Sequence, residues 1–254
     1  MNKLEANLSL FVITFFAAIQ YVFLRNIPAS VSHFAYLSIT NMIGFILIFI
    51  VFFGELFRID RKQVAQSFLL SLELFGYNIF MLMGTTAVDT TVSACVLSAY
   101  FIFIPLFSYL LFKQKPDRNM IAALCVVALG LFVFMGMDIK AMIDHHVLFL
   151  WVADLFFAAY ILTTERLTAR SNPAILARGQ LFFNFVFAVI MWTAQSLYRG
   201  ERMEIPGAPE FWGSVLFICF FIRGLYSVIQ IYAQRYVSAF NTSLIFSTEI
   251  LMTM

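Results

Sequence analysis

Residues 85–134 read TTAVDTTVSACVLSAYFIFIPLFSYLLFKQKPDRNMIAALCVVALGLFVF. Two long apolar runs flank one short polar loop, Lys113-Gln114-Lys115-Pro116-Asp117-Arg118, where the charge collects. Each run has about the 20 residues an α-helix needs to cross a bilayer. Backbone groups in lipid must be paired inside a helix or a closed barrel. Barrel strands alternate apolar and polar side chains over about ten residues. These runs are apolar on every side for longer than that, so the stretch reads as a hairpin of two membrane helices.

Working outward with the same length gives nine segments, at about 6–24, 34–53, 64–84, 90–112, 119–137, 146–164, 176–198, 211–232 and 238–254. Pro28, Pro116, Pro173, Pro206 and Pro209 fall in the gaps. Pro105 alone lies well inside a span, removes one backbone donor and predicts a kink in the fourth helix. Lys3 followed by Leu8 to Ala18 could mimic a signal peptide, but Glu5 and the lack of a small-x-small site favour a first membrane helix. The ninth segment runs to Met254 with no polar flank, which predicts that the chain is a piece of a longer protein.

Composition agrees with this class. Apolar residues make up 62% and charged residues 12%, about half the charged share of a soluble domain. Mean hydropathy is +0.91. The net charge of +2 gives no reason to expect a nucleic-acid partner. Cys95, Cys125 and Cys219 lie in apolar runs without metal-ligand spacing and read as packing residues.

Basic residues favour cytoplasmic loops. With the N-terminus inside, Lys3, Arg58, Arg61, Lys62, Lys113, Lys115, Arg118, Arg166, Arg170, Arg178 and Arg235 are cytoplasmic. Arg25, Lys140, Arg199 and Arg202 are then outside, and Arg223 is within a span. The expected location is the cytoplasmic membrane, multi-pass, with a cytoplasmic N-terminus. Glu201, Glu204 and Glu210 suit the outer face.

The chain also repeats. Phe15-Phe16-Ala17-Ala18 with Arg25 recurs as Phe156-Phe157-Ala158-Ala159 with Arg166, at an offset of 141 for all five residues. Gly76 in the third span falls weakly on Gly224 in the eighth. Five spans separate the halves, so the second half would be inverted, a recurring build of secondary transporters. The fold expected is all-α, a polytopic bundle of two inverted five-helix repeats. Residues 1–137 form the first, and 138–254 form the second, cut in or after its fourth helix.

Thr85–Phe134 resembles the fourth and fifth helices of the drug/metabolite transporter superfamily, in its EamA-like branch: a small-polar helix start, a mid-helix proline, a short polar loop and an Ala/Gly-rich fifth helix. AQRYVSAFNTSLIFSTEILMTM, residues 233–254, is similar to the family's ninth helix, which often has Glu-Pro where this chain has Glu249-Ile250. The resemblance implies ten helices, both termini cytoplasmic, and export of small metabolites. Two features depart from the family: Lys113-Gln114-Lys115-Pro116 replaces its acidic residue after the fourth helix, and the common Trp of the first helix is absent.

A charge at a helix centre costs roughly 2.5–3.5 kcal/mol on insertion scales. Glu73, Asp154 and Arg223 are central in their spans, and Glu249 would be central in a completed ninth. The four together cost on the order of 12 kcal/mol, so they should face one another or a wet cavity. Interhelical ion pairs that only fix packing would satisfy this, and so would a polar midplane site for a solute. Their neighbours extend the set. Arg223, Tyr226, Gln230 and Gln234 recur at i, i+3, i+7 and i+11, which is one helix face. Tyr77 is one turn from Glu73 with Asn78 beside it, Thr242 lies seven before Glu249, and Gln20 and Asn184 are lone polar residues in the first and seventh spans. Tyr100 could stack on a ligand. The candidate cavity residues are Gln20, Glu73, Tyr77, Asn78, Tyr100, Asp154, Arg223, Tyr226, Gln230 and Glu249. A carboxylic acid crosses hydrocarbon more cheaply than a carboxylate, so Glu73, Asp154 and Glu249 are candidates for a coupling proton.

No phosphate loop, His-Glu-x-x-His helix, potassium filter or Ser/His/Asp set occurs. His145-His146 reads as a solvent-facing loop pair, and all five Lys lie in the tail or loops. No enzyme activity, cofactor or metal is expected. The expected function is a secondary transporter, an exporter of small metabolites working by alternating access. Its partners would be the solute, the bilayer and, as a candidate, a second copy of the chain. Two alternatives stand beside it: a lipid-carrier flippase or enzyme subunit, and a non-transporting sensor or assembly subunit.

Overall fold

The computed structural model describes residues 2–24, 27–28, 31–51, 60–115, 117–134, 144–199, 207 and 209–253. Arg25, Arg58, Lys140, Glu201, Arg202, Glu204 and the 137/138 boundary lie outside them. The described residues form helices and no strands: α1 Lys3–Leu24, α2 His33–Val51, α3 Arg61–Thr85, α4 Thr90–Leu97, a 3-10 turn Ala99–Ile102, α5 Phe103–Phe112, α6 Arg118–Phe134, α7 His145–Thr168, α8 Pro173–Arg199, α9 Pro209–Phe217, a π segment Ile218–Tyr226, α10 Ser227–Ala233, α11 Ala239–Ser247 and α12 Glu249–Thr253.

Local chemistry sets these ends. The Asp60 N–H donates to Gln63 Oε1 at 3.3 Å at the start of α3. The Asp144 carboxylate accepts from His146 N–H at 2.9 Å and caps α7. His145-His146 therefore opens a helix rather than sitting in a loop. His145 is exposed and His146 half-buried. α5 ends where Lys113 turns left-handed, φ 55°. Hydroxyls inside the bundle bond back to their own helix, as Thr40 Oγ1 does to Tyr36 O at 2.9 Å and Ser98 Oγ to Ala94 O at 2.7 Å. Those hydroxyls need no other partner in lipid.

Seven helical runs among the described residues are long and apolar enough to cross a bilayer, and the other two expected spans are shorter helices within those residues. The fifth, α6, is 17 residues. The ninth breaks at Thr248, whose N–H turns to Ile245 O. The fourth counts as one run but is built in three pieces. Pro105 cannot donate to Phe101, and its ring crowds that carbonyl, so the turn before it tightens to 3-10 geometry. The expected kink is thus present, one turn upstream of the proline. The π segment in the eighth span was not expected. There Ser227 Oγ donates to Ile222 O at 3.1 Å, five residues back.

α3 packs along α7 and α8, and α2 along α8 and the π segment. α1 lies against the π segment, α10, α11 and α12, while α7 lies against α3, α4, the 3-10 turn and α5. Close packing uses small residues. A Cβ on Gly76 would stand 2.5 Å from Phe156 Cδ1, and one on Gly44 2.5 Å from Arg223 Cβ. The outer surface is apolar, with Ile50, Leu110, Val126 and Leu129 exposed, as lipid requires. Cys95 and Cys219 are buried, but Cys125 on α6 is exposed and is no core packing residue.

The interior holds two apolar clusters. One joins the C-terminal end of α1 to the starts of α2, α4, α7 and α9, including Leu24, Leu37, Val96, Leu150 and Phe211. The other joins the start of α1 to the far ends of α3, α7 and α10, including Leu10, Leu70, Ile161 and Val237. They fill opposite ends of the bundle, and Tyr77 touches both.

Candidate functional site

Between the two apolar clusters lies a cavity of about 40 Å³, room for one or two water molecules. Every long span except those of α2, α6 and α8 contributes to its wall. Gln20 comes from α1; Tyr77 and Asn78 from α3; Tyr100 from the 3-10 turn; Arg223 and Tyr226 from the π segment; Gln230 from α10; and Glu249 from α12. Eight of the ten candidates from the sequence thus share one wall.

Arg223 is the buried cation of the site. It is 5% exposed, and its Nη1 donates to Asn78 Oδ1 at 3.1 Å. Gly44 lets α2 lie against the base of its side chain. Widened π geometry, common at functional sites, brings this residue to the middle of the bundle. Among the buried polar atoms of the wall, Arg223 Nε, Gln230 Nε2 and the Tyr100 hydroxyl have no hydrogen-bond partner among the described residues, and Glu249 brings a carboxyl to the same wall. Two of these are donors only. Leaving them unmatched costs free energy, so the cavity favours an occupant that accepts hydrogen bonds.

Glu73 and Asp154 are placed outside this lining. Glu73 Oε1 accepts from Thr163 Oγ1 at 2.9 Å, which ties α3 to α7. Asp154 is completely buried on α7, and neither oxygen has a hydrogen-bond partner among the described residues. Gln234 continues the face of Arg223, Tyr226 and Gln230 but leaves the cavity. Its Nε2 donates to Ile161 O at 3.3 Å. Asn184 donates to Gln180 O at 2.8 Å on its own helix, and Thr242 is fully buried.

The wall also holds residues not named as cavity candidates from the sequence, chiefly Phe157, Tyr160 and Ser227. Phe157 stacks on Tyr77 with ring centroids 4.4 Å apart and meets Tyr100 edge-on at 4.8 Å. Tyr160 donates to Gln180 Oε1 at 3.1 Å. A polar hydroxyl deep in an apolar span could have flagged Tyr160 and Ser227. Phe157 had no such signal among 32 Phe.

A wider hollow of about 590 Å³ lies at the end of the bundle where α3 begins and α7 and α10 finish. Lys62, Gln66, Arg166, Arg170, Gln234 and Arg235 line it. Gln230 faces the cavity and Gln234, one helical turn on, faces this basin. The Gln234–Ile161 bond lies in the layer between the two. Beside it, Glu165 Oε2 accepts from the Ala239 N–H at 2.9 Å and caps α11.

Residues 4–136 match the EamA-like transporter family, which is more than half the chain. The chain belongs to the EamA-like transporter family. A relative from Archaeoglobus fulgidus (strain ATCC 49558 / DSM 4304 / JCM 9628 / NBRC 100126 / VC-16), named only as an uncharacterized transporter, is 23% identical over 249 residues. That match spans 98% of this chain and 76% of the relative. A solved crystal structure of a protein superposes with a TM-score of 0.70 at 15% identity, covering 98% of this chain and 84% of the other. At that identity the likeness establishes the fold alone. This EamA-like protein is a multi-pass helical membrane protein, and family and relative together support a membrane transporter.

Proposed function

We propose that this EamA-like chain is a secondary transporter that exports a small solute bearing an anionic or otherwise hydrogen-bond-accepting group. The observation that carries this is the unmatched donor pair, Arg223 Nε and Gln230 Nε2, in a cavity between two apolar clusters. An assembly subunit gains nothing from buried donors without acceptors. A carrier that binds solute at the midplane does.

The cavity is too small for a metabolite, so the conformation corresponds to an occluded state without room for cargo. Loading requires α7 to part from α10 and α11 at the Gln234–Ile161 and Glu165–Ala239 bonds. That opening would join the cavity to the basic basin. The Lys and Arg of the basin support a cytoplasmic placement for it, and loading from that side would be export.

The packing supports two inverted halves. α1 lies against the eighth and ninth spans as α7 lies against the third and fourth, and the fourth and ninth spans are both broken, at Ser98 and Thr248. Alternating access would then be a movement between two packed groups, α7 with the third and fourth spans and α1 with the eighth and ninth. The test is uptake from a metabolite mixture into proteoliposomes, read by mass spectrometry. Wild type accumulates at least one acceptor-bearing solute and Arg223→Ala does not. Equal uptake by both removes the proposed role of the site.

A further inference from the structure

The three carboxyl groups within the spans are not equivalent: Asp154 is buried, and Glu73 and Glu249 are half-buried. Glu249 lines the cavity, Glu73 is hydrogen-bonded to Thr163, and Asp154 is enclosed with neither oxygen bonded among the described residues. An ionised carboxylate in an apolar enclosure without a donor is among the costliest arrangements a protein can hold. The elements packed on α7 do not relieve it. α3 brings Glu73 and Tyr77, α4 brings Cys95, and the 3-10 turn brings Tyr100; α5, α10 and α11 carry no acidic or basic side chain. Beyond them, α12 brings Glu249 to the cavity, and the cation of the cavity wall, Arg223, donates to Asn78.

Asp154 is also linked to the cavity. Phe157 follows it by one turn on the same face of α7 and packs on Tyr77 and Tyr100 to form part of the cavity wall. A solute larger than the cavity would displace this aromatic group, and Phe157 shares its helix face with Asp154.

We infer that Asp154 is the proton-carrying site of this protein, separate from the solute cavity and coupled to it through Phe157. In the conformation described here the carboxyl holds its proton. When the packing around α7 opens, the carboxyl meets water and the proton leaves as hydronium; on return it takes one back from the other side. The word coupling rests on the transporter reading, but the protonation does not.

The test uses purified protein in lipid and needs no solute. Dicyclohexylcarbodiimide, an apolar reagent that attacks protonated carboxyl groups, should modify Asp154, as mapped by peptide mass spectrometry. Modification should fall as pH rises and ignore sodium. Infrared spectra at neutral pH should show a protonated-acid carbonyl band that Asp154→Asn removes and that Glu249→Gln and Glu73→Gln retain. Protection by sodium at fixed pH would overturn the inference in favour of a cation site, and a band unchanged in Asp154→Asn would overturn it outright. In transporting vesicles, Asp154→Asn should keep solute exchange and lose its response to a pH gradient. If no solute moves while the band is assigned to Asp154, only the transport reading fails.

Discussion

α3 and the α9–π–α10 run meet across the central cavity but reach it with different backbones. α3 is an unbroken α-helix of 25 residues, from Arg61 to Thr85. It buries one long face on α7 and α8 and offers the cavity Tyr77 and the acceptor Asn78. The eighth span instead widens to π geometry for nine residues around Arg223. An arginine needs more radial room than an amide, and its donors must be aimed at a small space. The regular helix acts as scaffold, and the irregular one carries the charge. Strain and irregularity are expected where function is placed rather than where packing is.

That contrast can be broken in graded steps. Arg223→Ala has the largest expected effect: loss of a charge-assisted bond, about 1.5–3 kcal/mol, lowers solute affinity roughly 10- to 100-fold, read by uptake kinetics. Arg223→Lys should not restore it, because the planar fork is lost. Gly44→Ala should come next. Its Cβ meets that of Arg223, so overpacking costs about 1–3 kcal/mol, read as a lower melting temperature in detergent. Gly130→Ala, where nothing lies within 4 Å, should leave it unchanged. Asn78→Ala removes the acceptor from Arg223 and should cost about 1 kcal/mol of stability. Ser227→Ala is the mildest, at about 0.5–1 kcal/mol, and would sharpen the comparison by showing whether the hydroxyl bond to Ile222 maintains the π turn.

Hydropathy made the spans legible because lipid leaves so few options. The third span, read as about 64–84, is Arg61–Thr85, and the sixth, read as about 146–164, is His145–Thr168. Interruptions were harder. Pro105 announced a kink through its missing donor, but the π segment and the break at Thr248 arise from packing between distant spans. Burial cost identified Gln20, Tyr77, Asn78, Tyr100, Arg223, Tyr226, Gln230 and Glu249, which the fold gathers around one cavity. The same cost flagged Glu73 and Asp154, yet helix rotation puts them behind the wall. No sequence period fixes a rotation of a few tens of degrees in a helix apolar on all sides. Phe157 was invisible because an aromatic ring in an apolar helix looks like any other.

The account stands or falls on whether the central cavity opens to water. In a background with Cys95, Cys125 and Cys219 replaced, a single Ser227→Cys can be probed in membranes with a small charged thiosulfonate. The account expects labelling at this wall position, reduced by a transported solute, although the site is closed in the structure. Complete resistance to the reagent, in a variant that folds and inserts normally, would contradict it.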